Sequence, residues 1–200
     1  MGAACATMTP HEADRSEPAA WAGAVASRCR EVMKRLFLLR HAKSSWDDAE
    51  LADHDRPLAP RGRRAAKVMA RHLRRERLTP ELVLCSSSRR TRETFECIAV
   101  GVGDVAEVLV ERGLYGATQD DLLDRLRAVP DAVRSVMLIG HNPAVQYLSF
   151  VLARPGPELE RVRAKFPTAA LATLEFDGGW GALAPGRARL VAFVTPRELE

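Results

Sequence analysis

The sequence lacks several features that would assign it to a specialised class of protein. No apolar run approaches the length of about 20 residues that a membrane-spanning helix needs. The four cysteines, Cys5, Cys29, Cys85 and Cys97, form no CxxC pair. This spacing argues against structural zinc, and because Cys85 and Cys97 lie in apolar and helical runs, we expect both to be buried free thiols in a reducing cytosol.

Neither positive nor negative charge is in large excess. The 30 lysines and arginines nearly balance the 26 aspartates and glutamates, which leaves a net charge of +4. No basic stretch is interleaved with aromatic residues, so we expect neither a nucleic-acid partner nor a membrane partner. A small positive excess suits an anionic substrate or an acidic protein.

The chain has two parts of different character. Residues 1–32 are rich in alanine, carry scattered charges and show no periodic apolar face, so we expect a poorly ordered extension. Residues 33–200 have the length and patterning of one domain with a substantial core. Met33 directly precedes the first predicted strand and is an alternative start.

Predicted strands and helices alternate from Arg35 onward, which indicates an α/β fold. The helix from Pro60 to about Arg77 has one apolar face, and Thr118 with Asp121 predicts a capping box at the start of another helix. We therefore expect one three-layer α/β/α domain with a mostly parallel central sheet and an antiparallel C-terminal hairpin. The predicted strands are Arg35–Leu39, Leu82–Cys85, Glu107–Val110, Ser135–Gly140, Ala169–Phe176 and Arg189–Val194.

Polar clusters follow the first four predicted strands. Because ligands in such sheets bind beyond the carboxyl ends of the strands, the four clusters should meet on one rim. The clusters are Arg40-His41, the SSSRR segment at 86–90, Glu111-Arg112 and Gly140-His141-Asn142.

Histidines and arginines on one rim favour an anion over a metal ion. Arginines would repel a dication, and the sequence has no HxxH or HxxxH spacing. The planar fork of arginine matches phosphate oxygens, and a neutral imidazole is a good nucleophile. The rim therefore predicts a phosphoryl pocket that contains histidine and needs neither a metal nor another cofactor. His54 and His72 are expected at the surface.

The order and spacing of several motifs resemble the histidine phosphatase superfamily, and most closely its SixA-type phosphohistidine phosphatases. The motifs are LFLLRHAKSSW, DRPLAPRG, VLCSSSRRTRETFE, ERGLYGATQDDLL, LIGHNP and KFPTAAL, and they span about Lys34 to Pro196.

The resemblance implies a role for each matched residue. It implies that His41 is the nucleophile, that Arg40 and Arg90 bind the phosphoryl group, and that His141 is the second pocket histidine. To hold phosphate oxygens, His141 should be protonated, and a nearby phosphate would raise its pKa. Many members of the superfamily carry glycine after the Arg-His pair. This chain has Ala42 there, and the SixA type also carries alanine.

The general acid and a further cation are less closely defined. Glu111 is the candidate general acid, although the residues after it differ in spacing from the mutase-like members. Lys43 either helps to bind the phosphate or is a solvated loop lysine.

The expected activity is metal-independent removal of phosphate through a covalent phosphohistidine intermediate, with a phosphohistidine protein as the substrate. Two alternatives stay open. One is a phosphatase of small phosphorylated metabolites on the same scaffold, and the other is a non-catalytic phosphate-binding module. A nucleophilic histidine argues against the binding module, since binding alone does not require one.

Overall fold

The computed structural model describes residues 33–105 and 107–200; the predicted disorder of residues 1–32 lies outside this part of the chain and stays a prediction. A six-stranded sheet in the order β3-β2-β4-β1-β5-β6 forms the centre of the fold. β1 pairs in parallel with β4, β4 with β2 and β2 with β3, whereas β5 and β6 run antiparallel. The strands are β1 Lys34–Arg40, β2 Leu82–Ser86, β3 Glu107–Glu111, β4 Ser135–Gly140, β5 Leu171–Phe176 and β6 Arg189–Val194.

Helices cover the sheet on both faces. Two helices pack together on one face, and on the other face three helices pack in series, the second against the first and the third against the second. Among the described residues, no helix is long and apolar enough to cross a membrane. The predicted three-layer α/β fold with its antiparallel C-terminal strands is therefore confirmed. The helices are α1 Pro60–Arg75, α2 Arg89–Val102, α3 Gln119–Arg127, α4 Ala144–Leu152 and α5 Pro157–Ala164.

The central strand β1 contributes side chains to both hydrophobic cores. Leu36 and Leu38 are fully buried in the core beneath α3 and α4, while Phe37 and Leu39 are buried in the core beneath α1 and α2. Successive side chains of a strand point to opposite faces, so a continuous apolar run is what a strand covered on both sides requires.

Local signals account for several helix boundaries. Thr118 Oγ1 accepts a hydrogen bond from the Asp121 amide, and the Asp121 carboxylate accepts one from the Thr118 amide, which forms the predicted capping box at the start of α3. The short helix α5 was not predicted, because Val162 is its only buried residue and the preceding RPGP segment indicates a turn.

Two predictions of burial need correction. Cys97 is only partly buried, although Cys85 is fully buried as expected, and both are free thiols. Cys85 lies on a buried strand and Cys97 on a helix, as predicted. The face of α2 that carries Cys97 reaches the surface beside the exposed Val100, which is why this thiol is only partly buried. His72, expected at the surface, is buried on α1 next to Leu73.

The carboxyl ends of β1, β2, β3 and β4 meet at one edge of the sheet. The pairing registers place Arg40 opposite Gly140 and Ser86 opposite Glu111 at the last residues of these strands. The parallel topology thus gathers segments that are up to a hundred positions apart in the chain, as the sequence predicted.

Candidate active site

His41 lies directly beyond β1 with its ring in a defined orientation. Its amide donates a hydrogen bond to the Gly140 carbonyl at 3.0 Å, so the backbone stays tied to β4. Its Nδ1 lies 2.8 Å from the Ala42 carbonyl oxygen. Because a carbonyl can only accept, Nδ1 carries the proton, and the lone pair of a neutral ring is on Nε2. The ring is about nine-tenths buried.

Burial also fixes the charge of His41. Desolvation is the main reason why its pKa falls to about 3, and the neighbouring groups His141, Arg90 and Arg40 lower it further against the opposing hydrogen bond to Ala42. The imidazole is therefore neutral at pH 7, the state in which nitrogen can act as a nucleophile.

His141 follows β4 and faces the first histidine. The two ring centroids are 5.1 Å apart, with an angle of 52° between the planes. Arg90 Nη2, which can only donate, lies 3.4 Å from Nδ1, and Ser86 Oγ lies 2.8 Å from Nε2. This arrangement fits a neutral ring that accepts at Nδ1 and donates from Nε2 to the serine.

The protein's own groups keep His141 neutral, and its protonation beside a bound phosphate stays a prediction. Burial, followed by the charge of Arg90, lowers its pKa to about 4, although the Asp53 carboxylate partly opposes this. Protonation at neutral pH therefore requires an additional anion beside the ring, such as a phosphoryl group.

Arg40 and Arg90 both lie near the histidine pair, where their charges lower the pKa of each histidine. Arg40 Nη1 donates to the Phe166 carbonyl at 2.7 Å, while its buried Nε has no hydrogen-bond partner among residues 33–105 and 107–200. Burial lowers the pKa of Arg40 from its usual value, but an arginine stays cationic at neutral pH. Arg90, in the first turn of α2, is almost fully buried. Because the buried Nε–H of Arg40 belongs to a cationic side chain and has no partner in the described part of the chain, an anion nearby is favoured.

Sequence reasoning missed the group formed by Asp53, His54 and Tyr115. Asp53 Oδ2 accepts from Arg90 Nη2 and from the Tyr115 hydroxyl, each at 2.9 Å. Burial alone would raise the Asp53 pKa, but these hydrogen bonds outweigh it and lower the pKa below its usual value. The Tyr115 ring packs edge-on against His141, with centroids 5.6 Å apart.

His54, expected at the surface, is partly exposed and also belongs to this group. It packs edge-on against Tyr115 with centroids 4.9 Å apart, and its Nε2 lies 3.0 Å from Ser87 Oγ. Residues 44–59 form mostly irregular loop without periodicity, so no sequence signal distinguishes Asp53 and His54 from the other charged residues there.

The RTRET segment connects α2 to the loop that carries His41. The Ala42 amide donates to Thr94 Oγ1 at 2.9 Å, and the Thr94 hydroxyl donates to the Arg90 carbonyl at 2.6 Å. Glu93 is buried and accepts from the Leu58 amide at 2.8 Å. These contacts explain why threonine and glutamate follow the arginine in this motif: they hold the histidine loop and the DRPLAPRG loop against one helix.

Gly62 in α1 permits the closest of these contacts. A Cβ atom at this position would lie 2.1 Å from the Lys43 carbonyl oxygen. The same carbonyl accepts a hydrogen bond from the Ala59 amide at 2.9 Å. The backbone after His41 therefore rests directly on the start of α1, which no larger residue at position 62 would allow.

The structure does not bring Glu111 into contact with the two histidines. Its carboxylate accepts from Arg125 Nε at 2.9 Å and from Nη2 at 2.6 Å, in a two-pronged ion pair. Both oxygens of the carboxylate are therefore engaged by Arg125. Lys43 lines a cavity beside Arg40 and makes no side-chain hydrogen bond within the described part of the chain.

The assembled groups can bind a tetrahedral anion and present a nucleophile to it. Two arginines supply planar donors, and a neutral imidazole nitrogen faces the same space. Over the residues that the structure describes, no cluster of three or more histidine, cysteine, aspartate or glutamate side chains is placed to hold a metal ion.

Comparison of the sequence and fold with known proteins identifies the family of this chain. Residues 36–116 match the model of the histidine phosphatase superfamily, branch 1. An uncharacterized protein of Mycobacterium tuberculosis is 39% identical over 163 residues, which cover 80% of this chain and all of that protein. Phosphohistidine phosphatase SixA of Escherichia coli is 30% identical over 151 residues, covering 72% of this chain and 86% of that enzyme.

A solved structure extends the likeness over the whole described fold. A candidate phosphohistidine phosphatase SixA from Nakamurella multipartitia superposes with a TM-score of 0.73 at 30% identity, covering 82% of this chain and 96% of that one. The matched segment contains Arg40, His41 and Arg90, which meet at the rim described above. This chain belongs to the histidine phosphatase superfamily, beside the SixA proteins, and is a hydrolase of phosphate esters or phosphoamides.

Proposed function

We propose that the protein removes phosphate from phosphohistidine on a partner protein, through a covalent phosphohistidine formed on its own His41. Its relative in Escherichia coli carries the name phosphohistidine phosphatase, which supports this substrate class. The two unpaired thiols Cys85 and Cys97 support a reducing cytosol as the place of action.

The observation that carries the proposal is the fixed tautomer of His41. The hydrogen bond from Nδ1 to the Ala42 carbonyl leaves the lone pair on Nε2, and a pKa of about 3 keeps the ring neutral. A module that only binds phosphate would gain more from a protonated histidine, which attracts an anion. A buried neutral imidazole with a directed lone pair is better suited to attack phosphorus.

The groups that surround His41 have a separate role, which is to bind the oxygens of the phosphoryl group. In phosphoryl transfer the negative charge stays on the three equatorial oxygens while the attacking and leaving atoms lie roughly in line. Arg40, Arg90 and His141 surround His41 and would hold these oxygens. The unpartnered Arg40 Nε is the N–H group that such an oxygen would satisfy.

The proposed reaction has two displacement steps. His41 Nε2 forms a bond to phosphorus while the bond from phosphorus to the substrate nitrogen breaks, and the substrate ring, which carries a proton on its other nitrogen, leaves as neutral imidazole with that electron pair. The oxygen of a water molecule then forms a bond to phosphorus while the bond to His41 Nε2 breaks. The proton that the water loses goes to a phosphate oxygen, and inorganic phosphate and neutral His41 result.

The choice of substrate follows from the leaving group. An alkoxide needs a proton from the enzyme, whereas the conjugate acid of imidazole has a pKa of about 6.5, so imidazole leaves far more readily. Glu111, the acid suggested by the resemblance, is engaged with Arg125. A site with its carboxylate engaged in this way favours phosphohistidine over phosphomonoesters.

A substrate panel tests the proposal. We expect faster turnover of a phosphohistidine protein than of phosphoserine peptides or small phosphate esters, measured as released inorganic phosphate. His41→Ala is the matched blank for each substrate. Faster hydrolysis of sugar phosphates than of any phosphohistidine would contradict the proposal and favour a small-molecule phosphatase.

A further inference from the structure

A cavity of about 420 Å³ adjoins the proposed phosphoryl pocket at Arg40, which lines it, and its other lining residues are cations or small neutral residues. Its charged lining residues are Arg40, Lys43, Arg61 and Lys165, and no acidic side chain lines it. The other lining residues are the neutral Ala65, Pro167 and Thr168.

These cations lie around one cavity, and no acidic side chain among the described residues that line it balances their charge. Several other surface arginines, such as Arg35 and Arg63, form ion pairs with glutamates at 2.7 Å. Within residues 33–105 and 107–200, Lys43, Arg61 and Lys165 take part in no ion pair. Like charges held close together repel one another, so the cavity is suited to an anion from outside the domain.

Backbone contacts build the cavity from three distant segments. The Ala59 amide binds the Lys43 carbonyl, and Gly62 rests against the same group, which brings Arg61 in the first turn of α1 beside Lys43. On the other side, the contact of Arg40 with the Phe166 carbonyl brings the neighbouring Lys165 to the rim. The cations therefore meet because of the fold around the site and not by chance on one helix.

The geometry points to a docking site for acidic side chains that flank the phosphohistidine of the substrate protein. This inference rests on the proposed function and adds a sequence preference to it. The cavity is wider than one phosphate group needs, and an extended peptide advances about 3.4 Å per residue. A carboxylate one to three positions from the phosphohistidine would therefore reach a cavity that begins at Arg40, the neighbour of the nucleophile.

The types of side chain favour carboxylates of variable position. Lysine is a flexible, strongly hydrated point charge, whereas a fixed phosphate is commonly held by the planar fork of arginine. Two lysines and an exposed arginine around an open cavity would attract several acidic residues without a single fixed geometry. Such contacts act on substrate association more than on the chemical step.

The test compares phosphohistidine peptides that differ only near the phosphorylated residue, with aspartate and glutamate in one and asparagine and glutamine in the other. We expect the acidic peptide to have at least a tenfold higher kcat/KM. Arg61→Gln combined with Lys165→Gln should raise KM for the acidic peptide about threefold to tenfold, since each exposed ion pair contributes modestly. Turnover of the neutral peptide and of para-nitrophenyl phosphate should be unchanged in this double variant.

The matched control is Lys67→Gln combined with Arg71→Gln. It removes two exposed positive charges that lie outside the cavity on α1, the helix that also carries Arg61. It should keep the preference for the acidic peptide. No preference in the wild type, or a preference that is undiminished in Arg61→Gln/Lys165→Gln, overturns the inference. Selective loss of a sugar bisphosphate as substrate, with no effect of peptide sequence, also overturns it and assigns the cavity to a second phosphate group.

A competition assay separates this inference from the proposed function. Unphosphorylated acidic peptide should inhibit hydrolysis of para-nitrophenyl phosphate in the wild type and the control, but several-fold less in Arg61→Gln/Lys165→Gln. If this pattern is found while no phosphohistidine peptide is hydrolysed, the proposed substrate is wrong and the acidic docking site stands. If phosphohistidine peptides are hydrolysed without this pattern, the docking site is wrong and the proposed function stands.

Discussion

Arg90 is bound by Asp53 at both ends of its guanidinium group. Nη2 donates to the Asp53 carboxylate at 2.9 Å, and Nη1 donates to the Asp53 carbonyl. The arginine that the family resemblance assigns to phosphate binding is thus oriented by a loop residue that the family motifs do not include. Because the fork of arginine must match the phosphate oxygens in angle as well as in distance, the orientation of this group should matter for catalysis.

The first prediction concerns Asp53→Ala. We expect kcat/KM for a phosphohistidine substrate to fall about tenfold, since Arg90 loses the partner that orients it. Asp47→Ala in the same exposed loop is the control and should retain wild-type kinetics. A rise in kcat/KM for Asp53→Ala would instead show that the carboxylate competes with the substrate for Arg90.

The second prediction concerns stability in mild acid. The folded-state pKa values of His41 and His141, about 3 and about 4, lie below the ordinary value of 6.5. The unfolded chain therefore takes up protons first as the pH falls, and the native state loses stability from about pH 7 downward. Each histidine should contribute about 2 kcal/mol to the loss between pH 7 and pH 5.

Chemical denaturation at the two pH values tests this assignment. His41→Gln and His141→Gln should each lose about 2 kcal/mol less than the wild type over this interval. The free energy of unfolding of each variant is compared with its own value at pH 7, so a constant cost of the substitution cancels. An equal loss in all three proteins would mean that neither buried ring is responsible.

The third prediction concerns metal ions. We expect hydrolysis to be unchanged after treatment with a chelator such as EDTA, because Arg40 and Arg90 already supply positive charge where a metal ion would otherwise act. The reference is the same enzyme dialysed without chelator. Loss of activity that one divalent ion restores would contradict this account of the pocket.

Much of the site could be predicted because the sheet is mostly parallel. The strand order brings the carboxyl ends of β1, β2 and β4 together, so Arg40, His41, Arg90 and His141 could be grouped from their positions after predicted strands. This inference needed only the alternation of elements and no detail of side-chain packing. The same reasoning placed Glu111 on the rim, where the structure has it.

What could not be predicted depends on contacts between segments that no periodicity describes. Glu111 points to Arg125, fourteen positions later on α3, so its role on the rim could not be read from its place after a strand. Asp53 and His54 lie in a loop whose path is set by contacts with α2 and Tyr115. The charge of His141 likewise follows from its burial, which appears only when the fold is assembled.

The most direct test of the account is to trap the phosphoenzyme. After rapid mixing with a phosphohistidine substrate labelled in its phosphate and a quench without acid, the wild type should carry a label that is stable to alkali and labile to acid, as expected for phosphate on nitrogen. Peptide mapping should place it on His41, and His41→Ala should carry none while keeping the wild-type melting temperature. A label on a serine, on a cysteine or on His141, or full activity of His41→Ala, would contradict the assigned nucleophile.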